Sequence, residues 1–354
     1  MTLVQSTSGP DDQALLDSAR SGSEEAYREL IEVHRSELHA HCYRMLASVE
    51  DADDAVQDTL LRAWRGIARF EGRSSVRTWL FKIATNAALD LAKSRSKREL
   101  PIGLGAASPF GTDWGARPLD VSWLEPYPNE RYISTSSRPT PEARYELRES
   151  FELAFVAALQ LLPANQRAAY LLREVMAYSA IETAEILDTT VAAVNSSLQR
   201  ARATIDPNIP TSSQQAAQAA LGQAKIRELA TKYCDAIETG DVAALMKLLT
   251  EDATWSMPPE TVYFSGKRDV AAFIQHDVVP QRWRHIVVNA NFQLAIAGYI
   301  FDDDRGCYLS TVIDVVTLNG DLISDVTGFL SSDVRGFERS SVFPRFGLPL
   351  EIPA

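Results

Sequence analysis

The sequence predicts a multidomain protein with two all-α domains followed by an α+β domain. Three observations support this fold class. Apolar residues recur at helical spacing through residues 12–98 and again through 142–205. Between them, residues 101–141 contain 7 Pro and 4 Gly and have no period, which is typical of a linker. From about Ala216 onwards, helical segments give way to strand-like ones. A length of 354 residues fits two or three domains.

Composition excludes several classes of protein. Apolar residues make up 45% and charged residues 23% of the chain, which excludes wholesale disorder. No apolar run is long enough for a membrane helix, and the N-terminus does not resemble a signal peptide. Cys42, Cys234 and Cys307 lie far apart, which predicts reduced thiols in a cytoplasmic protein. The net charge of −12 argues weakly against a free-standing nucleic-acid binder.

Four helices are predicted in the first domain, residues 12–98. A short helix ends near Gly22, and Ser23 caps the second. A third runs from about Asp51 to Ile67, and a fourth from Val76 to about Lys93. The apolar residues of each helix recur every three or four positions, so the four helices should pack around one core.

The charge of this domain reverses along the chain. Residues 11–58 carry 13 acids and 4 bases, whereas residues 62–98 carry 10 bases and 2 acids. An acidic surface suits a basic protein partner and a basic surface suits nucleic acid. The alternative is a helix whose charges merely complement its dipole. The reversal is concentrated on one stripe of the third helix, formed by Asp51, Asp54, Asp58, Arg62 and Arg65.

A small polar loop follows the third helix, and a basic helix follows the loop. The loop is flanked by Phe70, and the helix displays Arg77, Lys82 and Asn86. A basic surface beside an aromatic residue can hold single-stranded DNA with a base turned out of the stack. For Trp64 and Trp79, core packing is the better interpretation.

Residues 142–205 predict a helix-turn-helix motif. Asp188-Thr189-Thr190 joins two short amphipathic helices, and Thr190 can cap the second one. A generic helical bundle with a polar face is the alternative. The outer face of the last helix carries amide, hydroxyl and guanidinium groups, which read base edges and bind phosphates. These residues are Asn195, Ser196, Gln199, Arg200 and Arg202.

Two segments resemble a known family. DADDAVQDTLLRAWRGIARFEGRSSVRTWLFKIATNAALD is similar to region 2 of sigma-70-type RNA polymerase sigma factors of the extracytoplasmic-function (ECF) group. LPANQRAAYLL and EILDTTVAAVNSSLQRAR resemble region 4 of the same group. The two motifs stand in the family's order and cover residues 12–98 and 142–205, which makes the resemblance highly specific.

The resemblance implies the partners of each surface. The stripe from Asp51 to Arg65 should face the β′ clamp helices of core polymerase, and the β flap is a further expected contact. Asn195 to Arg202 should read the −35 promoter element, although Asn195 and Ser197 stand where many members carry Arg or Lys. The residues expected around the −10 element are Phe70, Glu71, Gly72, Arg73, Ser74, Ser75, Arg77, Lys82, Ile83 and Asn86.

A third module, residues 222–340, resembles the SnoaL-like (NTF2-like) domain fused to some ECF sigma factors. DAIETGDVAALMKLLTEDATWSMPPE carries this resemblance, and so does WLEPYP in the first linker. It implies a curved sheet around a cavity. Asn319-Gly320 predicts a tight hairpin within it. The candidate pocket residues for an unknown small ligand are Tyr263, His276, His285 and Asp314.

The linkers complete the predicted organisation. Residues 99–141, 206–221 and the tail 341–354 flank the three modules. The first linker contains aromatic residues that a solvated tether rarely carries, so part of it is expected to pack on a folded surface. These are Phe110, Trp114, Trp123 and Tyr127.

Two motifs that superficially suit metals are better explained otherwise. His39, His41 and Cys42 point to different helix faces, and Asp302–Gly306 has no spaced acidic ladder. The sequence therefore predicts no metal and no cofactor. The prediction is a cytoplasmic, non-enzymatic sigma factor that binds polymerase core and promoter DNA and is regulated in cis by its C-terminal domain. The alternatives are a helix-turn-helix repressor or activator, and a SnoaL-type isomerase fused to a DNA-binding part.

Overall fold

The computed structural model describes residues 10–111, 121–132, 141–331 and 342–354. Trp114 lies outside these residues. The chain forms two compact units. The first comprises residues 1–97, 131–144 and 158–209, and the second comprises 98–130, 145–157 and 210–354. Both units are therefore assembled from three separate segments of the chain.

The helices follow the periodicity of the sequence closely. Their bounds are α1 Pro10–Arg20, α2 Glu24–Leu46, α3 Val49–Gly66, α4 Val76–Ser94, α5 Pro141–Glu149, α6 Leu153–Leu159, α7 Ala164–Tyr170, α8 Ala180–Ile186, α9 Val191–Ile205, α10 Gln214–Leu221, α11 Gln223–Glu238, α12 Val242–Leu248, α13 Lys267–Phe273 and α14 Val342–Arg345.

The strands lie mainly in the C-terminal part of the chain. Their bounds are β1 Arg98–Glu99, β2 Ser122–Trp123, β3 Leu249–Ser256, β4 Tyr263–Ser265, β5 Trp283–Ala290, β6 Gln293–Asp302, β7 Cys307–Asn319, β8 Leu322–Leu330 and β9 Glu351–Pro353.

Serine caps fix the starts of three helices in the first unit. The side chains of Ser23, Ser48 and Ser75 each accept a hydrogen bond from the backbone three residues on, at the N-termini of α2, α3 and α4. Leu16 and Leu30 meet Phe70 in an apolar cluster that joins α1 and α2 to the end of α3. The four helices predicted from the sequence are present.

The helix-turn-helix of the first unit comprises α7, α8 and α9. Ser179 and Glu182 form a capping box at the start of α8, and Thr190 caps α9. Asp188 in the connecting turn adopts a left-handed conformation with φ 54°. Buried Val194, Leu198, Ala201 and Ile205 hold α9 against the bundle, which leaves its opposite face in solvent.

The second unit is built on a sheet with strand order β4-β3-β8-β7-β6-β5, and β9 also pairs with β7. All pairs in this sheet are antiparallel except β3 with β8. Gly320, with φ 64°, turns the tight β7–β8 hairpin that Asn319-Gly320 predicts. Helices α11 to α13 cover one face, where Leu294, Ile296 and Val316 join the main apolar cluster.

The other face of the sheet is also buried. Ala295 and Ala297 pair with Val315 and Ile313, and all four are fully buried. The C-terminal tail supplies part of the cover, because Phe343 packs edge-on against Tyr299 with ring centroids 5.1 Å apart. Residues 98–130, which include most of the first linker, belong to this unit too, and Tyr127 is completely buried. The sheet therefore carries apolar contacts on both faces.

Candidate polymerase and promoter interfaces

The outer face of α9 presents the residues predicted to read the −35 element. Asn195, Ser196, Gln199, Arg200 and Arg202 are all exposed. Arg200 lies along its own helix and donates to the Ser196 hydroxyl at 2.6 Å, whereas Arg202 donates to Glu174 at 2.9 Å. Arg200 is thus held only by a short local contact, and it is the guanidinium more easily redirected to a base edge.

The residues predicted to surround the −10 element divide into two groups. In the loop, Glu71, Gly72 and Arg73 are exposed, and Gly72 has a φ of 72° that favours glycine. Phe70 is instead buried against Trp79, with ring centroids 4.9 Å apart, and its carbonyl accepts from Arg20. Its ring therefore belongs to the helical core. The half-buried members of the set are Ser74, Ser75, Ile83 and Asn86.

The basic residues of α4 are engaged by the helix-turn-helix. Arg77 donates to Glu37 at 2.9 Å and to the Tyr178 hydroxyl at 3.1 Å. Lys82 donates to the carbonyl of Glu185 at 2.7 Å and lies 3.8 Å from the Asp188 carboxylate. Of the side chains predicted to contact −10 DNA, Arg77 and Lys82 are consequently occupied by protein partners in this structure.

The acidic stripe of α3 does not face solvent as one surface. Asp51, in the first turn of α3, is 3% exposed and pairs with Arg95 at 3.4 Å. Asp58 pairs with Arg62 at 2.6 Å, while Asp54 and Arg65 are exposed. Asp51 is therefore buried in this structure, whereas Asp54, Arg62 and Arg65 of the same stripe are exposed. Contact of the stripe with core polymerase stays a prediction.

An apolar groove between α2 and α3 was missed by the sequence analysis. It has a volume of about 1170 Å³, and its rim exposes Val33 and Leu61, which are 51% and 50% exposed. Along α3, Asp53, Gln57 and Leu61 recur every four residues and line this groove. The same spacing is present in the sequence, but the core-binding surface was predicted from the adjacent charged stripe instead.

Arg131 of the first linker lies at the acidic end of this groove. Its guanidinium donates to both carboxylate oxygens of Asp53 at 2.7 and 2.8 Å, and its carbonyl accepts from Ser36 at 3.2 Å. Partial burial raises the pKa of Asp53, but hydrogen bonds from His39 and Arg131 outweigh it and lower that pKa to about 2. Asp53 therefore stays ionised and keeps the linker on the groove.

The four candidate pocket residues of the C-terminal domain have separate partners. Tyr263 donates to the carbonyl of Gly105 at 3.3 Å, and His276 stands edge-on to Phe110 at 5.5 Å. His285 lies 3.0 Å from Glu238, and burial lowers its pKa. These three contact linker or neighbouring helix residues rather than one another in the described structure.

Asp314 occupies the inner face of the sheet. Its carboxylate accepts from the Tyr233 hydroxyl at 2.8 Å, and burial raises its pKa to about 7. Burial, followed by the charge of Asp314, raises the pKa of Tyr233 far above 10, so the phenol remains a donor. In the described parts of the chain, no group of three or more His, Cys, Asp or Glu could hold a metal ion, and no helix could cross a membrane.

Models of three protein families match the chain. The model for sigma-70 region 2 matches residues 30–98, the one for sigma-70 region 4 matches 152–205, and the one for a SnoaL-like domain matches 230–326. Two helical regions in this order define a sigma-70-type transcription factor, here with a SnoaL-like extension.

Full-length similarity narrows this class. The chain is 39% identical over 321 residues to the ECF RNA polymerase sigma factor SigG of Mycobacterium tuberculosis, covering 90% of this chain and 82% of that one. It therefore belongs to the ECF sigma factors of RNA polymerase. The ECF sigma-E factor of Haemophilus influenzae is 28% identical over 198 residues, or 56% of this chain and 95% of its own. The sigma factor SigJ of Mycobacterium tuberculosis shares the fold, with a TM-score of 0.54, 19% identity and coverage of 90% and 98%.

Proposed function

We propose that the chain binds core RNA polymerase, recognises the −35 and −10 promoter elements and starts transcription at a specific set of promoters. The observation that carries this proposal is the exposed polar face of α9, on the second helix of a helix-turn-helix, in a chain that also carries region 2. The proposal assigns no bond-making or bond-breaking step to the chain.

Region 4 supplies the −35 contact in this proposal. Gln199 and Arg200 lie one turn from Asn195 and Ser196, so the four side chains share one exposed face of α9. Arginine pairs in bidentate fashion with guanine, and asparagine or glutamine with adenine. A helix of this length can enter the major groove and present all four groups to base edges.

Region 2 supplies the core contact and the −10 contact. The exposed Val33 and Leu61 give the α2–α3 groove an apolar rim, and Asp53 makes one end acidic. This combination suits a helical polymerase element with apolar and basic residues, as the β′ clamp helices are expected to present. Arg131 would have to leave Asp53 before such an element could occupy the same end.

The closed arrangement of the first unit must open for promoter recognition. The −35 and −10 elements lie about 25 base pairs apart, which corresponds to about 85 Å of B-form DNA at about 3.4 Å per pair. In the structure, α4 and the helix-turn-helix are in hydrogen-bond contact through Lys82 and Glu185 at 2.7 Å. Both modules cannot reach their elements while this contact persists, so we infer that the structure represents a resting form.

The direct test is run-off transcription with purified core polymerase and a promoter library. The full-length chain with core should start transcripts at defined sites, whereas neither component alone should do so. Arg200→Ala should change the preferred −35 sequence. The control is Arg268→Ala, which also removes an arginine, but from the C-terminal domain, and should leave that preference unchanged. Equal site preference of the chain on duplex DNA without polymerase would support the repressor alternative instead.

A further inference from the structure

The tip of the β5–β6 hairpin is buried, although turns normally lie in solvent. Asn291 and Gln293 are 0% and 1% exposed, and Asn291 and Phe292 adopt left-handed φ angles of 54° and 56°. A buried amide side chain requires hydrogen-bond partners. The partners of this tip identify what it holds.

The side chain of Asn291 bridges two distant segments of the chain. Its Oδ1 accepts from the backbone N–H of Tyr127 at 2.8 Å, and its Nδ2 donates to the carbonyl of Phe151 at 2.8 Å. The backbone N–H of Asn291 also donates to the carbonyl of Tyr127 at 2.8 Å. Tyr127 belongs to the first linker and Phe151 precedes α6, so one amide joins the linker to the start of region 4.

Neighbouring contacts make this junction specific. The backbone N–H of Phe292 donates to the Asn129 side chain at 2.8 Å, and Gln293 Oε1 accepts from the N–H of Leu153 at 2.7 Å. The Phe151 ring lies between those of Tyr127 and Phe292, at 4.8 and 5.2 Å. The tip therefore hydrogen-bonds to the backbone of both segments, and the Phe151 ring packs between them.

We propose that the Asn291–Gln293 tip is a clamp through which the C-terminal domain holds the sigma factor in its closed form. With Tyr127 and Phe151 bound to the same side chain, the first linker and the start of region 4 are held together. When Phe151 is released, the start of region 4 is no longer fixed to the linker, so region 4 can move away from region 2 and toward the −35 element.

This clamp rests on the proposed function, because it regulates the same promoter-binding surfaces. The sequence predicts regulation in cis by the C-terminal domain but not whether it activates or inhibits. Because the clamp favours the closed form, it makes the C-terminal domain an inhibitor of promoter binding. The decisive variant is Asn291→Asp, which keeps the acceptor for Tyr127 and tolerates the left-handed turn but cannot donate to Phe151. Asn289→Asp is the matched control, because it makes the same amide-to-carboxylate change at an exposed position of β5, two residues before Asn291.

Opening is measured in the free full-length chain, without polymerase. The readout is fluorescence energy transfer between dyes attached at Arg69→Cys and Ala203→Cys. Loss of a buried hydrogen bond should raise the open population of the Asn291→Asp chain about tenfold. Binding of its holoenzyme to promoter DNA should tighten by a similar factor. Asn289→Asp should stay within about twofold of the parent.

The clamp is refuted if Asn291→Asp leaves the dye distances unchanged, or if Asn289→Asp opens the chain as much. Thermal unfolding shows whether the Asn291→Asp domain remains folded. Should it unfold, Phe151→Ala removes the ring that packs between Tyr127 and Phe292 in the same junction, from outside residues 210–354, and must itself increase opening. Run-off transcription by the unaltered chain tests the proposed function separately, so failure of the clamp and failure of the function give different results.

Discussion

The buried carboxyl of Asp314 makes the stability of the C-terminal domain depend on pH in a predictable direction. Its pKa rises from 3.8 to about 7 because the side chain is buried. The folded chain therefore binds more protons than the unfolded chain between pH 4 and pH 7. The free energy of unfolding should fall as the pH rises through this range and become level above it. This rise in the pKa of Asp314 means that the folded environment disfavours the ionised carboxylate by about 4 kcal/mol.

Replacing Asp314 by Asn removes the ionisation and keeps an acceptor for the Tyr233 hydroxyl. The new amide N–H₂ has no partner in place of the carboxylate oxygen, which costs about 1–3 kcal/mol. Below about pH 3.8 Asp314 is protonated in both the folded and the unfolded parent, so Asp314→Asn should be less stable there by that amount. At pH 5 the unfolded parent is already ionised and the parent has lost about 1.6 kcal/mol of stability, so the two chains should differ little. At pH 8 the parent bears the ionised group, so Asp314→Asn should be more stable by about 1–3 kcal/mol, the remainder of the 4 kcal/mol.

Hydrogen exchange of the β7 backbone, corrected for intrinsic rates at pH 5 and pH 8, measures this local stability. Burial also raises the pKa of Glu152 to about 7 and lowers that of His285, but both groups are present in both chains and cancel in the difference. The reasoning fails if Asp314→Asn shifts stability by the same amount and sign at both pH values. Such a result would mean that the folded chain does not oppose ionisation of Asp314.

Three further changes test other contacts. Tyr178→Phe removes the hydroxyl that accepts from Arg77 at 3.1 Å; a loss of about 1 kcal/mol should raise holoenzyme affinity for −10 fork DNA about fivefold, and unchanged affinity would argue against the closed form. Arg200→Ala should lose about 1–3 kcal/mol of discrimination at one −35 position in binding assays, and an unaltered preference would reassign that face. Gly328→Ala places a methyl group 2.7 Å from Asp314 Oδ1; it should lower the unfolding free energy by about 1–3 kcal/mol in denaturant titrations, and full stability would show that the sheet yields there.

Local patterns explain why some of the fold could be predicted. Thr190 caps α9, and Val194 and Leu198 face the core, because capping and helical spacing depend only on nearby residues. Asn319-Gly320 fixed a hairpin for the same reason. Tyr127, in contrast, is buried by a partner 164 residues away, and no periodicity encodes such a pairing. Asp51 is buried and pairs with Arg95, which lies 44 residues away, so charge patterning could not distinguish it from the exposed Asp54.

Region 4 is also connected to the C-terminal domain through the short segment between α9 and α10. This connection predicts where the domain lies in an open promoter complex. Gln214 anchors α10 to the sheet, since it donates to the carbonyl of Leu318 at 3.1 Å and accepts from its N–H at 2.7 Å. Only nine residue steps separate Gln214 from Ile205 at the end of α9, a span of at most about 32 Å. Release of the Asn291 clamp leaves this anchor intact, so the domain must travel with region 4 and remain near the −35 element. A DNA-cleaving iron chelate on Asp321→Cys, in the exposed β7–β8 turn, should therefore cut promoter DNA around −35 in the holoenzyme, whereas the same chelate on Arg69→Cys should cut near −10. Cleavage confined to the −10 region by the Asp321→Cys reagent would show that the domain stays with region 2, and that the anchor at Gln214 gives way instead of the clamp.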